Sequence, residues 1–332
     1  MRYCRAFRYP ETSNKQRICH KCKYRRCEIG QQKCRGVKKV ENIHLFTPST
    51  PIHVDTLQTE LSNHPDQSFV AKLLDGLRYG FDTGVSVLPT ETYKCKNLRS
   101  CHKQSDFVST AIEEELGKGY LIGPYTADTC PFTVYRINPI GVVEGKYSKK
   151  KRLILDLSSP HDVPGHDSVN SLIPKEDFSL SYVRVDDAIR IINSLGPGSV
   201  MNKLDIKDAF KNLPIATNMW HLHGLEWKNN IYFYTRLCFG SRSSPFLFTM
   251  LSEAFHYIAT NNYGIENLLF LLDDFLTIDK HKSTAKRSMA IMTMLFNRRG
   301  IPLSHHKTAG PSKEKRDRKS TRLNSSHTVI SY

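Results

Sequence analysis

The sequence contains no apolar run approaching the roughly 20 residues that a membrane helix needs, so nothing in it supports a membrane-spanning role. Its start, MRYCRAFRYPE, is basic, but no apolar core follows, and no secretory leader is expected. No internal repeat is evident. Acidic residues are scarce beside basic ones: 32 Asp and Glu stand against 48 Lys and Arg, a formal charge of +16. The shortage is local. Residues 1–40 hold 13 basic residues against 2 acidic, and residues 313–332 hold 6 against 2. The 272 residues between them hold 29 against 28 and are almost neutral. The first basic end reads as a nucleic-acid-binding arm, with a solvated charged tail as the alternative. Nine cysteines without an export leader point to an intracellular chain with reduced thiols or metal ligands, not disulfides.

A hydrophobic content of 39% with 10% aromatics is that of a globular protein, and 332 residues suffice for one large or two modest domains. Residues 1–45 are rich in Cys, Lys and Arg and have no apolar period. A Pro/Thr/Ser stretch at 47–51 begins a linker covering 46–66. Phe69, Val70, Leu73, Leu74 and Leu77 make a helical stripe over Gln67–Tyr79, and a second helix is expected over Ser105–Leu116. From Thr133 the runs TVYRINPIGVV and KRLILDL, separated by basic EGKYSKKK, predict a hairpin. A helix over Arg184–Leu195 carries Val185, Ile189 and Ile192 on one face and ends before Gly196-Pro197-Gly198. Then come strand MNKLDI, strands in LHGLEW and IYFYTRL, and a helix with Ser244 as its N-cap and Pro245 in its first turn. Leu247, Leu251, Phe255 and Ile258 follow at helical spacing. LLFLL and FLTI form a hairpin around two aspartates, and a last helix runs from about Thr284 to Arg299, closed by Gly300. Its buried side takes Met289, Met292 and Phe296. This order over 200–310 predicts an α+β fold, an antiparallel sheet with helices packed on one face.

Asp273-Asp274 is the strongest local anomaly, because both flanks should be buried strands. Two adjacent buried carboxylates are costly unless a cation accompanies them, and hard carboxylate oxygens suit Mg²⁺. A tight exposed turn is the alternative for this pair taken alone. Asp205 also follows an apolar strand start, in LDIKDAF, with Phe210 five positions on. The nearby Asp208 has fewer apolar neighbours and is expected to face solvent. Asp205, then CFGSRSSPFLF at Cys238–Phe248, then LLDDF at Leu271–Phe275, form a specific set in that order.

These blocks resemble motifs A, B and C of reverse transcriptases. KLDIKDAF is similar to motif A, whose aspartate binds metal and whose aromatic contacts the nucleotide sugar. LCFGSRSSPFLF resembles motif B, and LLDDF resembles motif C. The wider phrasing (GLRYGFDTGV, KKKRLILDLSSP, GIPLSHHKT) is most similar to tyrosine-recombinase retrotransposons of the DIRS type. The resemblance implies right-hand polymerase fingers and palm, with fingers and the start of the palm over 67–200 and the palm over 201–311. It implies an RNA-directed DNA polymerase that transfers dNTPs onto the 3′ end of a primer paired to an RNA or DNA template. Asp205 and Asp273 would bridge two Mg²⁺ ions and Asp274 would complete the site. Lys151 and especially Arg152 would meet the triphosphate, and Ile206, Phe210, Phe239 and Gly240 would line the nucleotide. Phe210 would leave no room for a 2′-hydroxyl, the alternative for it being a core residue of the palm. Lys307 matches the lysine of motif D that protonates departing pyrophosphate.

Two positions depart from the family pattern: Leu271 stands where Tyr is usual in motif C, and Cys238 where Pro is common in motif B. The resemblance ends near Pro311, so primer grip, thumb, RNase H and recombinase segments are not expected. Residues 312–332 resemble read-through or adapter sequence and are expected to lack order. In the arm, Cys19-x2-Cys22-x4-Cys27-x6-Cys34 offers four soft ligands and is similar to a retroelement zinc knuckle, with Cys27 where His is expected. The alternative is reduced thiols in a disordered tail. Two other functional classes stay open: a relic that only binds nucleic acid through this arm, and an RNA-copying palm enzyme, against which Phe210 argues.

Overall fold

The structure is a computed structural model that describes residues 47–145, 150–161, 163–316 and 322–324. The cysteine-rich arm expected over 1–45 lies outside them. Along the chain run α1 (Val54–Glu60), α2 (Gln67–Tyr79), β1 (Tyr93–Lys94), α3 (Arg99–Lys103) and α4 (Ser105–Gly117). Next come β2 (Leu121–Tyr125), β3 (Arg136–Ile137), β4 (Ile140–Glu144), β5 (Lys151–Leu155) and α5 (Val185–Leu195). They are followed by β6 (Val200–Asp205), β7 (Gly224–Trp227), β8 (Asn230–Tyr234) and α6 (Ser244–Tyr257). The remainder is β9 (Leu268–Leu271), β10 (Asp274–Asp279), α7 (Lys282–Arg298), β11 (Ala309–Ser312), β12 (Glu314–Arg316) and β13 (Arg322–Asn324). Among the described residues no helix is long and apolar enough to cross a membrane.

The apolar stripe read for α2 is buried throughout, and the Asp66 carboxylate caps the helix by accepting the Phe69 N–H at 2.8 Å. The run TVYRINPIGVV, expected as one strand, divides in two. Pro139 has no N–H to give a ladder, and the Asn138 amide donates to the Leu222 carbonyl at 2.9 Å. The chain therefore leaves β3 in a five-stranded mixed sheet, ordered β1-β3-β7-β8-β2, and re-enters as β4 in a separate hairpin with β5. The helix α6 also differs from expectation. Ser244 is its first residue, not its cap: Ser243 precedes it in helical conformation and makes no side-chain cap, its hydroxyl sitting 3.2 Å from that of Ser241. Within the closing segment, β12 pairs with β13, so residues 314–316 and 322–324 have regular structure that the absence of an apolar period did not suggest. Antiparallel pairing of backbone groups requires no such period.

The second sheet is antiparallel throughout, ordered β11-β6-β10-β9. Side chains alternate between its faces, and the pairing of Phe275 with Leu204 and Phe270 fixes which residues share one. That face packs against α6 and α7: Phe296 lies 5.2 Å from Phe275 and 4.9 Å from Phe255, centroid to centroid, and all three rings are fully buried. Burial of each such ring stabilises by about 1.5–3 kcal/mol. The opposite face carries Met201, Lys203 and Asp205 on β6, and Asp274, Leu276 and Ile278 on β10. Helix α5 covers its far end, where Ala188 and Ile192 pack on Met201 and Ile278. The carboxylates stand at the other end of this same face.

Candidate active site

Asp205 ends β6 and Asp274 begins β10, and the two are direct partners in the antiparallel register. Residues opposed in this way project from the same face, so both carboxylates are brought together by strand pairing alone. Asp205 is fully buried, and its carboxylate lies beside that of Asp274. Two carboxylates in such contact need a shared proton or a cation. Burial pushes the Asp274 carboxyl above the usual range, the Lys203 ammonium opposes the shift, and the Asp205 contact and the charge of Asp273 add to it.

Asp273 occupies the turn one register step beyond this pair, where its carbonyl accepts the Ile206 N–H at 3.0 Å. The residue before it, Leu272, has φ 53°. A branched aliphatic side chain in the left-handed region costs roughly 1–2 kcal/mol and persists only where its surroundings impose it. Here the imposing feature is the tight join between β9 and β10, which keeps Asp274 opposite Asp205. Asp208 is exposed, as expected.

Two lysines supply positive charge to the pair. Lys307 Nζ donates to both oxygens of Asp205, at 2.9 and 3.2 Å, from a turn in which the Ser304 N–H bonds the Asp205 carbonyl at 2.8 Å. Lys203 Nζ stands 3.2 Å from Asp274 Oδ1, yet this buried oxygen has no hydrogen bond of good geometry. A hard oxygen pair, buried, shared with ammonium groups and leaving one oxygen unsatisfied, suits a hard divalent cation. Asp205 and Asp274 would hold it first, with Asp273 adjacent. Among the described residues no group of three or more His, Cys, Asp and Glu side chains is gathered around one point. The expected trio is thus a close pair with its third member beside it.

The residues expected to line a nucleotide also meet. Phe210 lies in a 3₁₀ turn, Ala209–Asn212, directly after the motif around Asp205. Its ring is 4.7 Å from that of Phe239 and 5.7 Å from that of Phe248. Phe210 is buried, whereas Phe239 is 60% exposed and presents an aromatic face to solvent. Ile206 is buried and bridged to Leu303. Gly240 has φ 93°, and a Cβ there would come within 2.9 Å of the Leu155 carbonyl oxygen, so both conformation and space require glycine. Cys238, standing in place of the usual Pro, is buried and un-ionised: burial pushes its thiol up to about 12, and it donates to the Arg236 carbonyl. Leu271, in place of the usual Tyr, is exposed at the open end of β9.

Lys151 and Arg152 are exposed on β5, opposite Glu144 and Val143, at the outer end of the β4–β5 hairpin. The other end of this hairpin, at Leu155, abuts Gly240. One residue that sequence reasoning missed joins the two parts. The buried Asn170 amide donates to the Gly240 carbonyl at 2.7 Å and to Ser158 Oγ at 2.8 Å, and its oxygen accepts the Arg242 N–H at 2.8 Å. Lys203 was missed as well. Nothing in the local sequence marks Asn170, but Lys203 precedes Asp205 by two and so had to share its face once a strand was read there. Cys19, Cys22, Cys27 and Cys34 lie outside the described residues. Among the described residues Cys95, Cys101 and Cys130 form no disulfide.

Residues 134–318, more than half of the sequence, match the family described as reverse transcriptase (RNA-dependent DNA polymerase). The chain belongs to this family. Similar solved structures include the foamy viral protease-reverse transcriptase in complex with double-stranded DNA, at TM-score 0.55 and 18% identity over 86% of this chain. The same viral enzyme with an RNA/DNA hybrid gives TM-score 0.55 at 16% identity over 82%, and the native prototype foamy virus enzyme 0.51 at 18% over 84%. At these identities the likeness establishes the fold, an α+β arrangement similar to retroviral fingers and palm. This reverse transcriptase chain spans 49%, 36% and 34% of the respective structures. No curated protein sequence matches it.

Proposed function

We propose that this chain carries the fingers and palm of a retrotransposon RNA-directed DNA polymerase, which extends a primer on an RNA or DNA template with dNTPs. The observation that supports this most directly is the register pairing of Asp205 with Asp274 on one face, with Asp273 at the adjoining turn. Mg²⁺ ions held by these carboxylates would supply activation of the primer hydroxyl and charge neutralisation at the phosphates. The protein's own groups do the rest. Arg152 and Lys151, exposed on a hairpin, offer forked and point charges to a triphosphate. Phe239 presents aromatic surface on the sugar side, and the buried Phe210 ring packed against it leaves a 2′-hydroxyl without space or partner. Gly240 lets the backbone approach closely, with Asn170 fixing its carbonyl. Lys307, which neutralises Asp205 here, is the proton donor for the leaving pyrophosphate at its Nζ. Affinity for the duplex would come from backbone contacts, since a copying enzyme cannot depend on base identity.

Among retroelements, the phrases GLRYGFDTGV, KKKRLILDLSSP and GIPLSHHKT support a place with tyrosine-recombinase retrotransposons of the DIRS type. The test of the function is extension of a labelled DNA primer on an RNA template by the full chain with Mg²⁺. Asp205→Asn and Asp274→Asn should each reduce extension by a factor of at least about 10³ while leaving the fold intact. Retained turnover in either variant would overturn the assignment.

A further inference from the structure

Directly after Phe210 stands a buried cation. Lys211 is 8% exposed, its Nζ donating to Glu115 Oε2 at 3.1 Å and lying 3.6 Å from the centroid of the Tyr234 ring. Its partners come from separate elements, Glu115 from α4 and Tyr234 from β8. A lysine held between a carboxylate and an aromatic face has its direction fixed by both charge and ring quadrupole. Such a buried pair is a poor device for stability alone, because apolar residues of similar volume usually serve as well or better. Its location suggests another use. At three residues per turn, successive side chains of a 3₁₀ helix point about 120° apart. Lys211 therefore anchors one side of the turn in α4 and β8 while Phe210 reaches the other way, to Phe239 and Phe248.

We propose that Lys211, clamped by Glu115 and Tyr234, is a positioning residue that fixes the turn carrying Phe210 and so sets how strictly the site excludes ribonucleotides. The selectivity half of this proposal rests on reading the chain as a DNA polymerase. The positional half does not. An apolar residue of similar volume would fill the space without fixing the rotation of the turn, so packing would survive while the ring wandered.

The test uses the full chain with 4-fluorophenylalanine placed at position 210, and separately at 296 as a distant control. Lys211→Met should shift or split the fluorine line of residue 210, leave that of 296 unchanged, and keep a cooperative thermal transition. Lys211→Arg should restore the wild-type line. Should Lys211→Met fail to fold, Glu115→Gln keeps volume while removing the charge and should move the same line. In primer extension, Lys211→Met should lower the preference for deoxy- over ribonucleotides about tenfold, with a smaller loss of deoxynucleotide kcat, and Lys211→Arg should stay near wild type. An unmoved fluorine line in folded variants overturns the positional tie. A moved line with an unchanged nucleotide ratio, or a wild-type chain that never extends a primer, overturns the selectivity half.

Discussion

Lys307→Met isolates the electrostatics of the site, because it removes one cation and leaves the fully buried Asp205 carboxylate in place. Deleting one partner of a buried ion pair costs roughly 3–5 kcal/mol. The Lys307 side chain is 38% exposed, so water already screens part of the interaction, and about 2 kcal/mol is the expected loss. For domains of 150–250 residues that is about 4–8 °C in Tm. Differential scanning fluorimetry in EDTA should show this drop, and a Mg²⁺ titration should reverse more of it in Lys307→Met than it adds to wild type, as mass action on a folded-state site requires. Pairing the substitution with Asp205→Asn should remove the penalty, placing the double variant within about 1 kcal/mol of Asp205→Asn alone. Equal Tm values for wild type and Lys307→Met in EDTA, with equal responses to Mg²⁺, would refute the reasoning. In that event Lys307 would be a surface lysine resting near a carboxylate that does not need it.

Other consequences are open to measurement. Burial, above all, lowers the pKa of His221 and His223 to about 4 in each, with their mutual repulsion adding to it at His221. Since the unfolded value is 6.5, the unfolded chain takes up protons first as pH falls. Stability is therefore complete above pH 6.5 and lost toward pH 4, by about 2 kcal/mol per histidine between 6.5 and 5. Urea midpoints at pH 7.5 and 5 should differ accordingly, and His223→Gln should flatten the dependence; coincident wild-type midpoints would contradict it. Gly240→Ala, strained in φ and crowded against Leu155, should raise KM for dNTPs in steady-state extension while costing about 1–3 kcal/mol of stability. A peptide of residues 1–45 should bind one Co²⁺ through Cys19, Cys22, Cys27 and Cys34 with thiolate charge-transfer absorption and gain order as it does so. Without that band in reducing buffer, the arm is a basic tail.

The parts of this fold that were legible in the sequence are those where one period dominates. The stripe of α2 has a single geometry that buries it, and the structure adopts it; the flanks of Asp273-Asp274 form the expected hairpin but are only partly buried, with Leu269, Phe270 and Leu276 half-buried and Leu271 exposed. Legibility failed where the deciding partner is remote in sequence. Pro139 splits a run of strand-forming residues because the Asn138 side chain finds carbonyls more than 80 residues away. Asn170 ties the hairpin to Gly240 across 70 positions, and Lys211 meets Glu115 across 96. A lysine in a polar-looking stretch such as KDAFKNL reads as solvent-facing until α4 is folded against it. Only the burial, and with it the cost of leaving that charge alone, turns it into a candidate for a role.

Register was the other missing quantity, and it matters most for the aspartates. Two adjacent residues in a strand face opposite sides, so the sequence LLDDF cannot say which carboxylate joins Asp205. The structure answers through the turn. With Leu272 held at φ 53°, β9 and β10 are joined so tightly that the ladder resumes at Asp274, opposite both Leu271 and Asp205. Asp273 is thereby left at the corner, its carbonyl committed to Ile206 and its side chain free of the strand alternation. A corner residue can approach a ligand from the edge of the sheet while its neighbour approaches from the face. Paired aspartates at such a corner can thus serve one site from two directions, which neither a regular strand nor a helix permits for consecutive residues. The strain at Leu272 is the local cost of that arrangement, and it falls on a residue of the motif that carries no charge.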